Sequence, residues 1–274
     1  MNYRSIFTAM PIAAFAVLAA ACPAEEDVTA EEAQEAVVEA SLASQASNVA
    51  EGTIEIGTTF TLGQAVEDAA EEIRAFAESQ LPCADVAREG ATVSITYGAN
   101  GACEFHGRSF TGTHSVTVSR NEENDVLVHH EWDDVSNGRV SVDGTADVTW
   151  SQDDKSRHVI HELTWTRLSD GRTGTGTGDR VQSPLDGSWQ NGVAIDGERA
   201  WEGERGRWDL DIDGVEWRWV DPVPESGTYT LTTPANKVIT LTFERADEDT
   251  IHVTVTGGRR DHEFNVTSLG EVEE

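Results

Sequence analysis

Along most of the chain, apolar and polar residues alternate one by one. From Ala91 to Leu269 the rhythm is period two and rich in Thr, Val and Trp, the pattern of strands with one face in a core and the other in water. Asx-Gly punctuates it at Asn100-Gly101, Asn137-Gly138, Asp143-Gly144, Asp170-Gly171, Asp186-Gly187, Asn191-Gly192, Asp196-Gly197 and Asp213-Gly214. These dipeptides tolerate the positive φ that tight hairpin turns require. The pattern predicts one long antiparallel meander of about twelve to fourteen strands, not βαβ units.

Two segments before it read as helix. Val66, Ala69, Ala70, Ile73, Phe76 and Ala77 form one stripe at three- and four-residue spacing, and Leu81-Pro82 ends it. Thr61-Leu62-Gly63-Gln64 is a capping box, with Phe60 placed as a staple against Ala65, so a docked helix is expected over 62–81. Further upstream, Thr29-Ala30-Glu31-Glu32 is a second capping box, opening an Ala/Glu/Gln stretch that runs to about Ser47. Its apolar side is mostly Ala, and Pro23 to Glu55 holds nine acids and no base. This predicts an acidic tether over 22–57 containing a weakly docked or frayed helix. The expected fold is therefore α+β and mostly β, one domain over 58–270.

An internal repeat refines the sheet. Trp132-Asp133-Asp134-Val135-Ser136-Asn137-Gly138-Arg139 matches Trp165-Thr166-Arg167-Leu168-Ser169-Asp170-Gly171-Arg172, suggesting successive hairpins of one plan. With Asp170-Gly171 as a two-residue turn, Trp165 falls opposite Gly176, Leu163 opposite Gly178 and Arg167 opposite Gly174. Glycines facing bulky residues leave room for a ring to lie across the neighbouring strand, or for a helix to come close. The 62–81 helix is expected over that face.

The start of the chain carries an address. Residues 1–21 have Arg4 as their one charge, an apolar run from Met10 to Leu18, and small residues before Cys22. That is a secretory signal, too short to span a bilayer permanently. Leu18-Ala19-Ala20-Ala21-Cys22 is similar to a lipobox in which Cys22 becomes the lipidated first residue, although Leu stands one place further from the Cys than usual. The alternative is ordinary cleavage nearby, leaving Cys22 as a thiol. With Cys22 assigned to lipid, Cys83 and Cys103 remain as a pair, and an oxidising envelope compartment permits the disulfide.

Charge narrows the partners. The formal net charge is -31, which repels nucleic-acid phosphates and anionic lipid head groups. Asp209, Asp211 and Asp213 with Gly214 begin like a calcium loop, but Val220 stands where a bidentate Glu is needed, and Leu210 and Ile212 alternate with them as on a strand. They are at most weak metal candidates. Of the eight histidines, His129/His130 and His158/His161 sit at odd or adjacent spacings that place them on opposite strand faces. No nucleophile elbow is present, and Gly174, Gly176 and Gly178 lack the G-x-G-x-x-G spacing of a dinucleotide site, so neither an enzyme nor a cofactor is expected. The eight Trp read as the inner face of the sheet, with a carbohydrate- or lipid-binding platform as the alternative.

Ser79-Gln80-Leu81-Pro82-Cys83, Gly107-Arg108-Ser109-Phe110-Thr111-Gly112-Thr113-His114, Leu163 to Arg172, and Gly227-Thr228-Tyr229-Thr230-Leu231-Thr232-Thr233-Pro234 together resemble a myxobacterial-type family of predicted lipoproteins of unknown function. Seventeen Arg against two Lys fit such a high-GC genome. The resemblance implies an envelope lipoprotein and brings no activity with it. The expectation is a non-catalytic lipoprotein anchored at Cys22, on the periplasmic or surface side of the outer membrane, facing an envelope protein or matrix partner. The rival is a carrier of lipid or another hydrophobic ligand, its sheet curled around an apolar groove; Trp and Val positions lining a cavity would favour it.

Overall fold

The computed structural model describes residues 27–58, 65–105, 107–120, 125–151, 155–267 and 270–273. The signal segment, Cys22, the Phe60–Gln64 helix start and His106 lie outside them. Two helices precede the strands: α1 (Ala30–Gly57) and α2 (Val66–Gln80). The short strands β1 (Asp85–Glu89), β2 (Thr92–Tyr97) and β3 (Cys103–Phe105) follow. Next come the long strands β4 (Arg108–Arg120), β5 (Val126–Ser136), β6 (Val140–Ser151), β7 (Ser156–Arg167), β8 (Thr173–Pro184), β9 (Val193–Gly203) and β10 (Gly206–Trp217). The last are β11 (Ser226–Thr232), β12 (Val238–Arg245), β13 (Thr250–Thr256), β14 (Asp261–Thr267) and β15 (Val272–Glu273).

These strands form a single antiparallel sheet of fifteen strands in sequence order, with β3 pairing only with β4. The sheet is not closed into a barrel. It curls instead, because α1 touches β5 and β6 near one end and β12 through β15 at the other. The helix lies in the trough so formed. A sheet of this size must curl or split to bury one face, and α1 supplies what the curled face closes upon.

This differs from the expected tether. Most of α1 is buried, including Ala33, Ala36, Ala40, Ala43, Ala46 and Ala50. Its start is fixed: the capping box between Thr29 and Glu32 is formed, and Val28 N donates to Gly257 O at 3.0 Å. A helix enclosed on nearly all sides beyond its first turns has no amphipathic stripe to betray it. Small side chains let the strands come close; a Cβ on Gly57 would stand 2.8 Å from Val116 Cγ2. The acids that suggested solvation are in part paired inside, as described below.

Helix α2 packs on β1, β2 and β4, away from the Trp165 hairpin where it was expected; Trp165 is buried all the same. Helix α1 covers this stretch, with Glu39 pairing to Arg172 in the β7–β8 loop and Glu55 to Arg157 at the other end of β7. The hairpin register is offset by two residues from expectation: Trp165 faces Gly174 and Leu163 faces Gly176. The Asp170-Gly171 turn is wider than two residues. Arg167 N bonds Arg172 O at 2.7 Å, and the Asp170 carboxylate accepts from Arg172 N at 3.1 Å. A shift of two leaves every side chain on its expected face, whereas a shift of one would have inverted them. Cys83 and Cys103 are joined as a disulfide, tying the end of α2 to β3.

Candidate functional site

The trough contains a polar centre. Alternation places Val159, Leu163 and Trp165 of β7 inward, and the same parity carries Arg157 and His161 with them. Arg180 and Gln182 of β8 and Arg199 of β9 follow the same rule, and all five are buried. From α1, Glu51 accepts from Arg157 at 3.2 Å, Arg180 at 2.7 Å and Gln182 at 2.9 Å. Glu55, one helical turn on, takes a further bond from Arg157. Burial pushes the Glu55 carboxyl upward, against the pull of Arg157. Arg157 is also held between rings, its guanidinium carbon 4.3 Å from Trp189 and 5.6 Å from Trp150.

Nearer β4, His114, His130 and Trp132 stack on one another as a three-ring cluster, with Tyr97 against His114. Tyr97 Oη and His114 Nδ1 are 3.2 Å apart, His114 Nε2 and His130 Nδ1 2.9 Å, and Trp132 Nε1 donates to Thr53 Oγ1 of α1 at 2.7 Å. Burial holds His114 down to about 3 and drives His130 far below the usual imidazole range. Both are therefore neutral core residues at neutral pH.

Six of the Trp (Trp132, Trp165, Trp201, Trp208, Trp217 and Trp219) are buried. The aromatic positions that could have lined an open platform face α1 or each other, as with Trp201 and Trp208, stacked at 6.0 Å. The β8 glycines are the receiving surface for these rings: a Cβ on Gly174 would collide with Trp165, and one on Gly178 with His161. Beside α1 an open cleft of about 560 Å³ remains, bordered by Leu42, Gln45, Leu168 and Val272.

The outer face has the opposite character. Register sets Asp147, Ile160, Asp179, Glu198 and Asp211 side by side across β6 to β10. The row borders a shallow groove of about 480 Å³. Ile160 in the groove and Val181 beside it on the same face are about half exposed, at 49% and 51%. His129 and His158 sit here too, 2.8 Å from Asp147 and 2.5 Å from Asp179. Their neighbours His130 and His161 point inward, so the odd spacing separates them as expected.

Asp209, Asp211 and Asp213 also lie on this face, strung along β10. Asp209 is already paired to Arg207 at 2.7 Å, and among the described residues no group of three or more ligands gathers where it could hold a metal ion. The sequence reading missed the inward arginines and their glutamates. Parity was the available signal: each arginine keeps step with the apolar residues of its own strand. No protein family, curated protein or solved structure matches the chain.

Proposed function

We propose that the protein is a non-catalytic, lipid-anchored component of the cell envelope, held to a membrane through Cys22 and displaying the acidic outer face of its sheet to a protein or matrix partner. The observation that carries this reading is the occupied trough. The apolar and aromatic face that a carrier would offer to a hydrophobic ligand is covered by the chain's own helix, and α1 is held there by buried ion pairs rather than by apolar contact alone. The outer face of the sheet presents a row of carboxylates around Ile160 and Val181. Like charges side by side on a sheet face repel each other, and a cationic partner surface would relieve that repulsion. The same charge disfavours nucleic acid. The lipobox-like segment and the family resemblance both support an envelope address, on the periplasmic or surface side of the outer membrane.

Native mass spectrometry of a Cys22→Ser version, exported to the periplasm and purified without detergent, tests the choice between binding and carrying. A bare protein mass is expected. A reproducible extra mass equal to a lipid or hydrophobic metabolite would replace this reading with the carrier. Metabolic labelling with a fatty acid, compared between the wild type and Cys22→Ser, tests the anchor separately.

A further inference from the structure

The trough holds buried positive charge that its carboxylates do not fully cancel. Arg157, Arg180 and Arg199 are exposed by only 0%, 1% and 4%. Glu51 and Glu55 face the first two. Arg199 has no carboxylate within ion-pair distance among the described residues. Its Nη1 donates to Ser47 Oγ at 2.9 Å, and its Nη2 to Ser44 Oγ at 3.3 Å and Tyr229 Oη at 3.0 Å. A guanidinium does not lose its proton in a protein, and an unpaired buried charge is among the costliest features a core can contain. His161 supplies no negative charge, since its Nδ1 accepts from Arg180 Nη2 at 2.8 Å as a neutral ring.

Unused donors lie in the same place. Arg180 Nε and Nη1 and Arg199 Nε are buried without a hydrogen-bond partner among the described residues. Arg180 is opposite Gly197 and Arg199 opposite Gly178, so the two arginines are diagonal neighbours on the inner face, about 7 Å apart. Both extend inward under α1. Ser44, Ser47 and Tyr229 accept from Arg199, so each hydroxyl keeps its own hydrogen free to donate. The lining therefore presents donors and a net charge of one sign.

We propose that Arg180 and Arg199 hold a small inorganic monoanion, a halide of about chloride's size, between them beneath α1. A water molecule would satisfy the N–H groups and leave the charge. A multiply charged oxyanion would bring more negative charge than Arg199 leaves unpaired. Bound there, the ion joins β8 and β9 to the serines of α1 and so helps keep the helix in the trough.

The test uses the full chain in two measurements. In thermal melts at equal ionic strength, sodium bromide or chloride should raise Tm over sodium gluconate by about 5–10 °C at a hundredfold excess over Kd, while phosphate should match gluconate. Arg199→Gln, which removes the surplus charge, should abolish the halide dependence. Crystals grown in bromide should show an anomalous peak between the two guanidinium groups of the wild type, a readout that holds even where the variant folds poorly. Equal Tm in bromide and gluconate, an undiminished halide effect in a folded Arg199→Gln, or a water without anomalous signal at that position would each overturn the assignment.

Discussion

Mild acid should weaken this fold through three histidines. His114, His130 and His161 are shut inside the trough, where burial holds the first down to about 3 and the others well below the ordinary 6.5. In the unfolded chain each titrates near its usual value of about 6.5. Between about pH 7.5 and pH 5.5 the unfolded chain therefore takes up protons that the folded one excludes, and stability falls as pH falls. The linkage integral gives about 1.4 kcal/mol for each histidine over that window, or about 4 kcal/mol for all three. A typical domain has only about 5–15 kcal/mol to lose. Glu55, Asp221 and Glu35, whose carboxyls burial raises, act the other way on acidification. Asp170, held at about 2 by Arg167, adds its loss only below this window. Single variants isolate the histidine share. Urea unfolding followed by Trp fluorescence should show the pH dependence of His161→Gln or His114→Gln reduced by about one proton relative to wild type. Identical pH dependence in wild type and variants would refute the buried, neutral assignment.

Three other perturbations probe the same architecture. Glu51→Gln leaves Arg157 and Arg180 short of their shared counter-charge and should cost about 3–5 kcal/mol in urea unfolding, whereas Glu31→Gln on the exposed side of α1 should stay within about 0.5 kcal/mol. Gly174→Val drives a side chain into the Trp165 ring; a loss of about 2–3 kcal/mol and altered Trp fluorescence are expected. Cys83→Ser opens the bridge across a sequence separation of 20, with an expected loss of about 3 kcal/mol that reduction of the wild type should reproduce.

The sheet was legible in the sequence because period-two alternation and Asx-Gly turns are local signals. Trp165 and Leu163 both fell on the face expected for them. Even the mistaken register preserved the faces, since the wider Arg167–Arg172 turn displaced the pairing by an even number of residues. Helix α1 was not legible for the opposite reason. Its docking depends on partners far along the chain, Arg157, Arg172 and Arg180, and a count of its acids cannot distinguish a carboxylate in water from one buried against a guanidinium. The Cys83–Cys103 bond followed from setting Cys22 aside. The centre of the trough was half visible: strand parity turns Arg157, Arg180 and Arg199 inward, and it is Glu51 and Glu55 on α1 that pair the first two.

The arrangement of pairs along α1 also says how the helix would leave the trough. In sequence, residues 23–29 alone separate Cys22 from the start of α1 at Ala30, so tension on a lipid anchor would enter the fold at Asp27 and Val28, where Arg259 N donates to Asp27 Oδ1 at 3.1 Å and Val28 N to Gly257 O at 3.0 Å, and then at the Thr29 cap. The first pairs it meets are weak. Glu32 bonds Lys237 with side chains 36% and 20% exposed, and Glu35 bonds Arg205 at 21% and 66%; such solvated pairs contribute about 0–1 kcal/mol each. The next, Glu39 with Arg172, is nearly enclosed at 3% and 13%, and beyond it come Glu51, fully buried, and Glu55, whose partner Arg157 is fully buried. Breaking one partner of a buried pair costs about 3–5 kcal/mol. Resistance therefore rises inward from the end of α1 nearest Cys22. The first turns can fray while the remainder stays seated, and emptying the trough for a ligand would require breaking the strongest pairs last.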